Sequence, residues 1–328
     1  MTGRFHGGDL AAAAARFGIP QAGWVDLSTG INPWPYPVMP DLETLYRLPD
    51  SAQIARLLAE AAAAYGMGAA DRIAAAPGTQ ALIQWLPRLM PAGRVAVVSP
   101  TYGEHAPAWR QAGHEVFETA GLPDAADADT VVVTNPNNPD GRLTGRADLV
   151  ALAGELAARG GRLVVDEAFA DVAGEGPSIA AGTDTGIVAL RSFGKFYGLP
   201  GLRLGFALTD ATTAAAIAEA LGPWPVSTIA ADAGAVALAD RDWRNAMRAT
   251  LAAAADRLDG MLTGAGVEIV GGTTLFRLTR HADAAALFER LGNAGIYVRP
   301  FADRPEWLRF GIPGEEADWV RLAAALEA

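Results

Sequence analysis

Lys195 is the only lysine in 328 residues, and the other 25 of the 26 Lys and Arg residues are arginine. The two exchange freely on most solvated surfaces. A guanidinium, however, stays protonated at every accessible pH, whereas a lysine amine can be desolvated, neutralised and made to attack a carbonyl carbon. The sole lysine is therefore a candidate nucleophile, although by count alone it could equally be a survivor on a surface loop. Asp166 closes the apolar run RLVVD. A carboxylate at the end of an apolar strand needs a cation or donors beside it. On residue types alone, Asp166 and Lys195 are either an ion pair or two parts of one site.

Other chemistries are excluded. The chain has no cysteine, which removes disulfides, thiolate catalysis and cysteine-held metals. Its histidines, His6, His105, His114 and His281, show no i,i+4 spacing and no zinc pattern, so no metal is expected. A formal net charge of −11 disfavours a nucleic-acid partner. The opening MTGRFHGGDLAAAAARFGIP has only a short apolar run ended by Arg16. It reads as neither a signal peptide nor a membrane span, and a soluble cytoplasmic protein is expected.

These residues must be positioned by the surrounding elements. RVAVVS, TVVVTN, RLVVDEA, GIVALRS and RLGFAL read as strands, with helix-like stretches such as LTGRADLVALAGELAARGG between several of them. Unbroken apolar strands suit a mostly parallel sheet covered on both faces, which is an α/β layered fold. In such sheets ligands sit at the carboxyl ends of strands. Asp166, the NPNNPDG stretch after VVVT, and Ser192 after IVALR all fall there. After about Ala211 the texture becomes that of a smaller α+β domain, with strands in TTLFRLTR, IYVRP and EWLRFGI and a helix after Pro313. The expected division is an N-terminal segment over 1–40, packing with the small domain and the active site, a large domain over 41–215 and a small domain over 216–328.

SFGKFYGLPGLRLGFA resembles the cofactor-lysine segment of the fold-type-I pyridoxal-phosphate enzymes, the class I/II aminotransferases. The resemblance implies a Schiff base between Lys195 and pyridoxal 5′-phosphate, with Ser192 and Arg203 on the cofactor phosphate. NPNNPDG resembles the turn whose asparagine bonds the cofactor's O3′, here Asn138, and VVDEAF the strand-end aspartate on the pyridine nitrogen, here Asp166. SPTYGEH resembles the segment bearing the ring-stacking aromatic, here Tyr102. APGTQALI resembles the phosphate cradle at a helix start, giving Gly78 and Thr79. The motifs occur in the family's order over nearly the whole chain. A buried carboxylate keeps the ring nitrogen protonated, and a helix N-terminus with Ser, Thr and Arg suits a phosphate dianion. Two positions depart from the family: Phe169 stands where a tyrosine is common, and Leu48 where a tyrosine often reaches the partner subunit, with Tyr46 two residues before. A homodimer is implied by resemblance alone.

The fold does not choose the reaction. FHGGDLAAAAARFG and WVDLSTGINPWP resemble the openings of threonine-phosphate decarboxylases, which make aminopropanol phosphate for the cobalamin side chain. That resemblance implies decarboxylation of L-threonine O-3-phosphate to (R)-1-amino-2-propanol O-2-phosphate. His6, Gly7 and Gly8 would form an anion nest; read without it, they are a terminal tail. Gly30 stands where that group often has asparagine and offers only its backbone. Arg299 in YVRPF and Arg309 in WLRFGI match two substrate-binding arginines, and Asn138 also faces substrate in this scheme. Two arginines suit a substrate with carboxylate and phosphate, but either could be one more surface cation. The alternative is histidinol-phosphate aminotransferase or a related aminotransferase. A ligand-sensing regulator on this fold is not expected, since the first motif leaves no room for a DNA-binding domain before it and the charge is acidic.

Overall fold

The computed structural model describes residues 7–39, 41–173, 178–181 and 186–327. They form two compact units. One comprises residues 36–138 and 142–245; the other comprises the described residues up to Pro35, Pro139–Gly141, and those from Ala246 onward.

The larger unit is built on a seven-stranded sheet. Its spatial order is Ile73–Ala76, Gly205–Leu208, Ile187–Ser192, Arg162–Asp166, Thr130–Thr134, Arg94–Val98, Glu115–Thr119. The β-branched runs supply its centre: Val95, Val97, Val131 to Val133, Leu163 to Val165 and Val188 are buried. Six strands run parallel and Gly205–Leu208 runs against them. That reversal has a local cause. Ile187–Ser192 and Gly205–Leu208 are joined by a short loop carrying Lys195, with no crossover helix to bring the chain back in the same direction. Two strands of this sheet lie outside the sequence-based expectation, Ile73–Ala76 and Glu115–Thr119. The first is three-quarters alanine, and the second is a half-exposed edge.

Helices Thr79–Leu89, Arg146–Ala157 and Ala211–Leu221 accompany the sheet, the last capped by Asp210 on the Thr213 N–H. Helix Ser51–Tyr65 begins with a capping box between Asp50 and Gln53. Helix Thr228–Ala239 packs on it through Gly234, where a Cβ would lie 2.7 Å from Leu57 Cδ1 and 2.6 Å from Leu204 Cδ2.

The smaller unit carries a four-stranded antiparallel sheet in the order Arg299–Pro300, Trp307–Gly311, Phe276–Arg280, Glu268–Thr273. Helices Leu10–Phe17, Ala284–Asn293 and Glu316–Glu327 flank a core that includes Leu258, Leu291, Ile296, Phe310 and Trp319. The N-terminal segment is lodged in this unit. Val25–Asp26 pairs parallel with Ile296–Tyr297, Leu27 N–H donates to Tyr297 O (2.8 Å), and Gly311 N–H donates to Leu27 O (2.7 Å). Among the described residues no helix is long and apolar enough to cross a membrane.

Candidate active site

The carboxyl ends of three adjacent parallel strands meet at a cavity of about 160 Å3 in the larger unit. Its lining includes Thr79, Tyr102, Asn138, Asp166, Ser192, Lys195 and Arg203. Seven residues drawn from five separate sequence motifs thus share one space. Phe169 also lines it, and Lys195 Nζ lies 5.5 Å from the Phe169 ring centroid.

Asp166 is buried and held at both oxygens. Oδ1 accepts the Ala168 N–H (3.0 Å), and His105 Nε2 donates to Oδ2 (2.9 Å). A carboxylate so fixed keeps its charge aimed in one direction. The His105 contact was not anticipated from the sequence. The only sequence signal was its place three residues after Tyr102 in SPTYGEH, where Tyr102 and His105 meet edge to face at 5.9 Å. Tyr102 Oη donates to Gln80 Oε1 (3.2 Å).

The neighbouring turn is equally constrained. Asn137 accepts from Thr101 Oγ1 (2.8 Å), donates through Nδ2 to Pro100 O (2.9 Å) and through its N–H to Arg142 O (2.9 Å). Asn138 is placed by this anchored neighbour. At the other end of the cavity, helix Thr79–Leu89 starts at Gly78, whose φ is +84°. A Cβ at Gly78 would lie 2.6 Å from Arg203 Nη2, so the guanidinium sits directly over this glycine. Arg203 has φ +52° and its Nη1 donates to Pro200 O (3.2 Å).

Behind the site, residues adjacent to the lining ones form a buried ion cluster. Arg191 Nε donates to Glu167 Oε2 (2.9 Å) and Nη1 to Asp171 Oδ1 (3.0 Å). Ser178 Oγ and Ile179 N–H also donate to Glu167 (2.7 and 2.9 Å). Burial lowers the affinity of Arg191 for its proton, but Glu167 and Asp171 outweigh this and hold it above the usual arginine value. Side chains alternate along a strand. Asp166 and Ser192 therefore line the cavity while Glu167 and Arg191 tie the two strands together.

The smaller unit holds the other expected residues. Arg299 and Arg309 are cross-strand partners. Arg309 is fully buried, with Nη2 donating to Ser28 O (3.0 Å) and its guanidinium 5.0 Å from the Phe276 centroid. Burial, then the nearby Arg299 charge, pull its pKa well below the arginine value against the opposing pull of Asp26. Gly8 N–H donates to Ser28 Oγ (2.7 Å), Gly7 abuts the Ser28 carbonyl, and Gly30 is buried in the same segment. His6 lies outside the described residues.

The donor set fits pyridoxal phosphate. A fixed carboxylate, an amine, an aromatic ring, an asparagine amide, two hydroxyls, a helix start and a guanidinium are what a cationic pyridine ring with a phosphate arm requires. The missing side chain at Gly78 leaves room for the Arg203 guanidinium at the helix start. A family model described as aminotransferase class I and II matches residues 41–326. The threonine-phosphate decarboxylase of Pseudomonas aeruginosa is 45% identical, over 98% of this chain and 96% of its own. That of a Sinorhizobium species is 44% identical over 98% and 97%. Among solved structures, histidinol-phosphate aminotransferase from Sinorhizobium meliloti, in complex with pyridoxal-5′-phosphate, superposes with a TM-score of 0.82, covering 99% of this chain and 94% of that one at 22% identity. At that identity the likeness concerns the fold.

Proposed function

The chain belongs to the aminotransferase class I and II family, and within it we propose a pyridoxal-phosphate-dependent carboxy-lyase that converts L-threonine O-3-phosphate to (R)-1-amino-2-propanol O-2-phosphate. The observation that carries this reading is the 45% identity, extending over 98% of the chain, with a threonine-phosphate decarboxylase. The cofactor supplies an electron sink for the pair left when a bond at the substrate Cα breaks.

The residues then have distinct tasks. Asp166 holds the proton on the pyridine nitrogen, and His105, donating to Oδ2, orients that carboxylate. Tyr102 supplies a ring face, Asn138 a donor for O3′, and Gly78, Thr79, Ser192 and Arg203 the phosphate cradle. Lys195, which lines the cavity, would hold the cofactor covalently. Phe169 has no hydroxyl, so Asn138 carries the O3′ contact without it. Arg299, Arg309, His6 and the backbone of Gly7, Gly8 and Gly30 are the groups we assign to the substrate's two anions. Which bond at the substrate Cα breaks would depend on how these groups orient the substrate. Anchoring both anions fixes that choice on the Cα–carboxylate bond.

A homodimer fits this family and an exposed apolar stretch of Met39, Leu42, Leu45, Tyr46 and Leu48, which single solvated side chains do not explain. A cytoplasmic location and a place in cobalamin synthesis accompany the reading. The test is substrate choice. Purified protein with pyridoxal phosphate is given L-threonine O-3-phosphate, or histidinol phosphate with 2-oxoglutarate. Aminopropanol phosphate from the first and no glutamate from the second is expected; the reverse replaces the lyase with an aminotransferase.

A further inference from the structure

Ser28 is fully buried in the smaller unit, and its hydroxyl, N–H and carbonyl all make hydrogen bonds. Its hydroxyl donates to Asp26 Oδ1 (2.6 Å) and accepts the Gly8 N–H (2.7 Å). Its own N–H donates to the same Asp26 oxygen (2.9 Å), and its carbonyl accepts from Arg309 Nη2 (3.0 Å). Gly7 approaches so closely that a Cβ there would lie 2.2 Å from the Ser28 carbonyl oxygen. Gly8 has φ +88°, a conformation open to glycine at little cost.

We propose that Ser28 is a positioning residue that fixes the Gly7–Gly8 turn, so that this turn receives the phosphate of the substrate while Arg309 is set from the same residue's carbonyl. The proposal rests on the substrate reading above. A hydroxyl has one proton, and an ionised carboxylate only accepts. Asp26 therefore accepts the hydrogen bond from the Ser28 hydroxyl, which leaves a hydroxyl lone pair facing the Gly8 N–H. Neither Asp26 nor Ser28 needs to touch substrate to act this way. The two functions of Ser28 are also separable. Removing the hydroxyl frees the Gly8 N–H and a carboxylate lone pair, whereas the carbonyl bond to Arg309 survives in any side-chain variant. Loss of the hydroxyl should thus be felt at the phosphate end and not at the carboxylate end.

The experiment measures Ser28→Ala and Ser28→Thr as holoenzymes. Two readouts are taken: KM and kcat for L-threonine O-3-phosphate, and Kd for unphosphorylated L-threonine from the change in visible absorbance of the bound cofactor. Ser28→Ala is expected to raise KM about tenfold, more than it lowers kcat, as loss of one buried hydrogen bond would. The Kd for L-threonine should stay within about twofold, and Ser28→Thr, which keeps the hydroxyl, should restore KM. Should the alanine variant not fold, Ser28→Cys keeps the shape of the side chain, weakens the acceptor and carries the same expectation. An unshifted KM, an equal rise for both ligands, or no rescue by threonine overturns the positioning role. Wild-type protein that releases no carbon dioxide from threonine phosphate overturns the substrate reading and this role with it; wild-type turnover with an unshifted variant overturns this role alone.

Discussion

At the scale of single residues, the chemistry depends on groups whose neighbours leave them one orientation. Asp166 is the clearest, with Ala168 N–H on one oxygen and His105 on the other. Asp166→Asn keeps the volume but cannot hold the pyridine proton. It should fold normally and lose roughly 10- to 150-fold in kcat, the equivalent of one charge-assisted hydrogen bond, as steady-state kinetics will show. Near-normal turnover would make the carboxylate structural. Lys195→Arg keeps a positive charge and should give no borohydride-fixed cofactor on peptide mapping, since arginine cannot form the covalent bond. Lys195 and Asp166 were legible because their residue types are improbable where they stand, a lone lysine and a charge ending an apolar run. His105 and Ser28 were not. Histidine and serine are common polar residues, and only the folded chain reveals that each touches a group that matters.

At the scale of elements, the site is a set of strand ends and the turns leaving them. β-branched runs announced the central strands because a sheet buried on both faces admits little else. Ile73–Ala76 was hidden because alanine favours helices, and its strand form comes from pairing with Gly205–Leu208. The antiparallel sense of Gly205–Leu208 depends on the length of the Lys195 loop, which residue types do not encode. Two element-level tests follow from the geometry. Gly78→Ala would place a Cβ 2.6 Å from Arg203 Nη2 at φ +84°, so cofactor Kd should rise about tenfold or more in an absorbance titration. An unchanged Kd would remove Gly78 from the cradle. Arg191→Ala would leave Glu167 and Asp171 as buried, uncompensated carboxylates joining two cofactor-bearing strands. Chemical denaturation should show a loss of about 3–5 kcal/mol, and a loss under 1 kcal/mol would mean the cluster contributes little.

At the scale of the whole molecule, the order of motifs along the chain carried the family, while each motif alone was weak. On the proposed reading, the choice between lyase and aminotransferase rests on a few groups in the smaller unit, Gly7, Gly8, Arg299 and Arg309, where nothing in composition distinguishes a substrate arginine from one of 25. Folding separates them: Arg309 is buried beside Ser28, which an ordinary surface cation is not. The central claim is that the substrate loses its carboxylate and keeps its nitrogen. It is tested most directly with L-threonine O-3-phosphate labelled with carbon-13 in the carboxyl group, supplied together with 2-oxoglutarate. Labelled carbon dioxide should be released in proportion to substrate consumed, aminopropanol phosphate should retain the amino group, and no glutamate should form. Glutamate accumulating while the label stays in a 2-oxo product would contradict that claim.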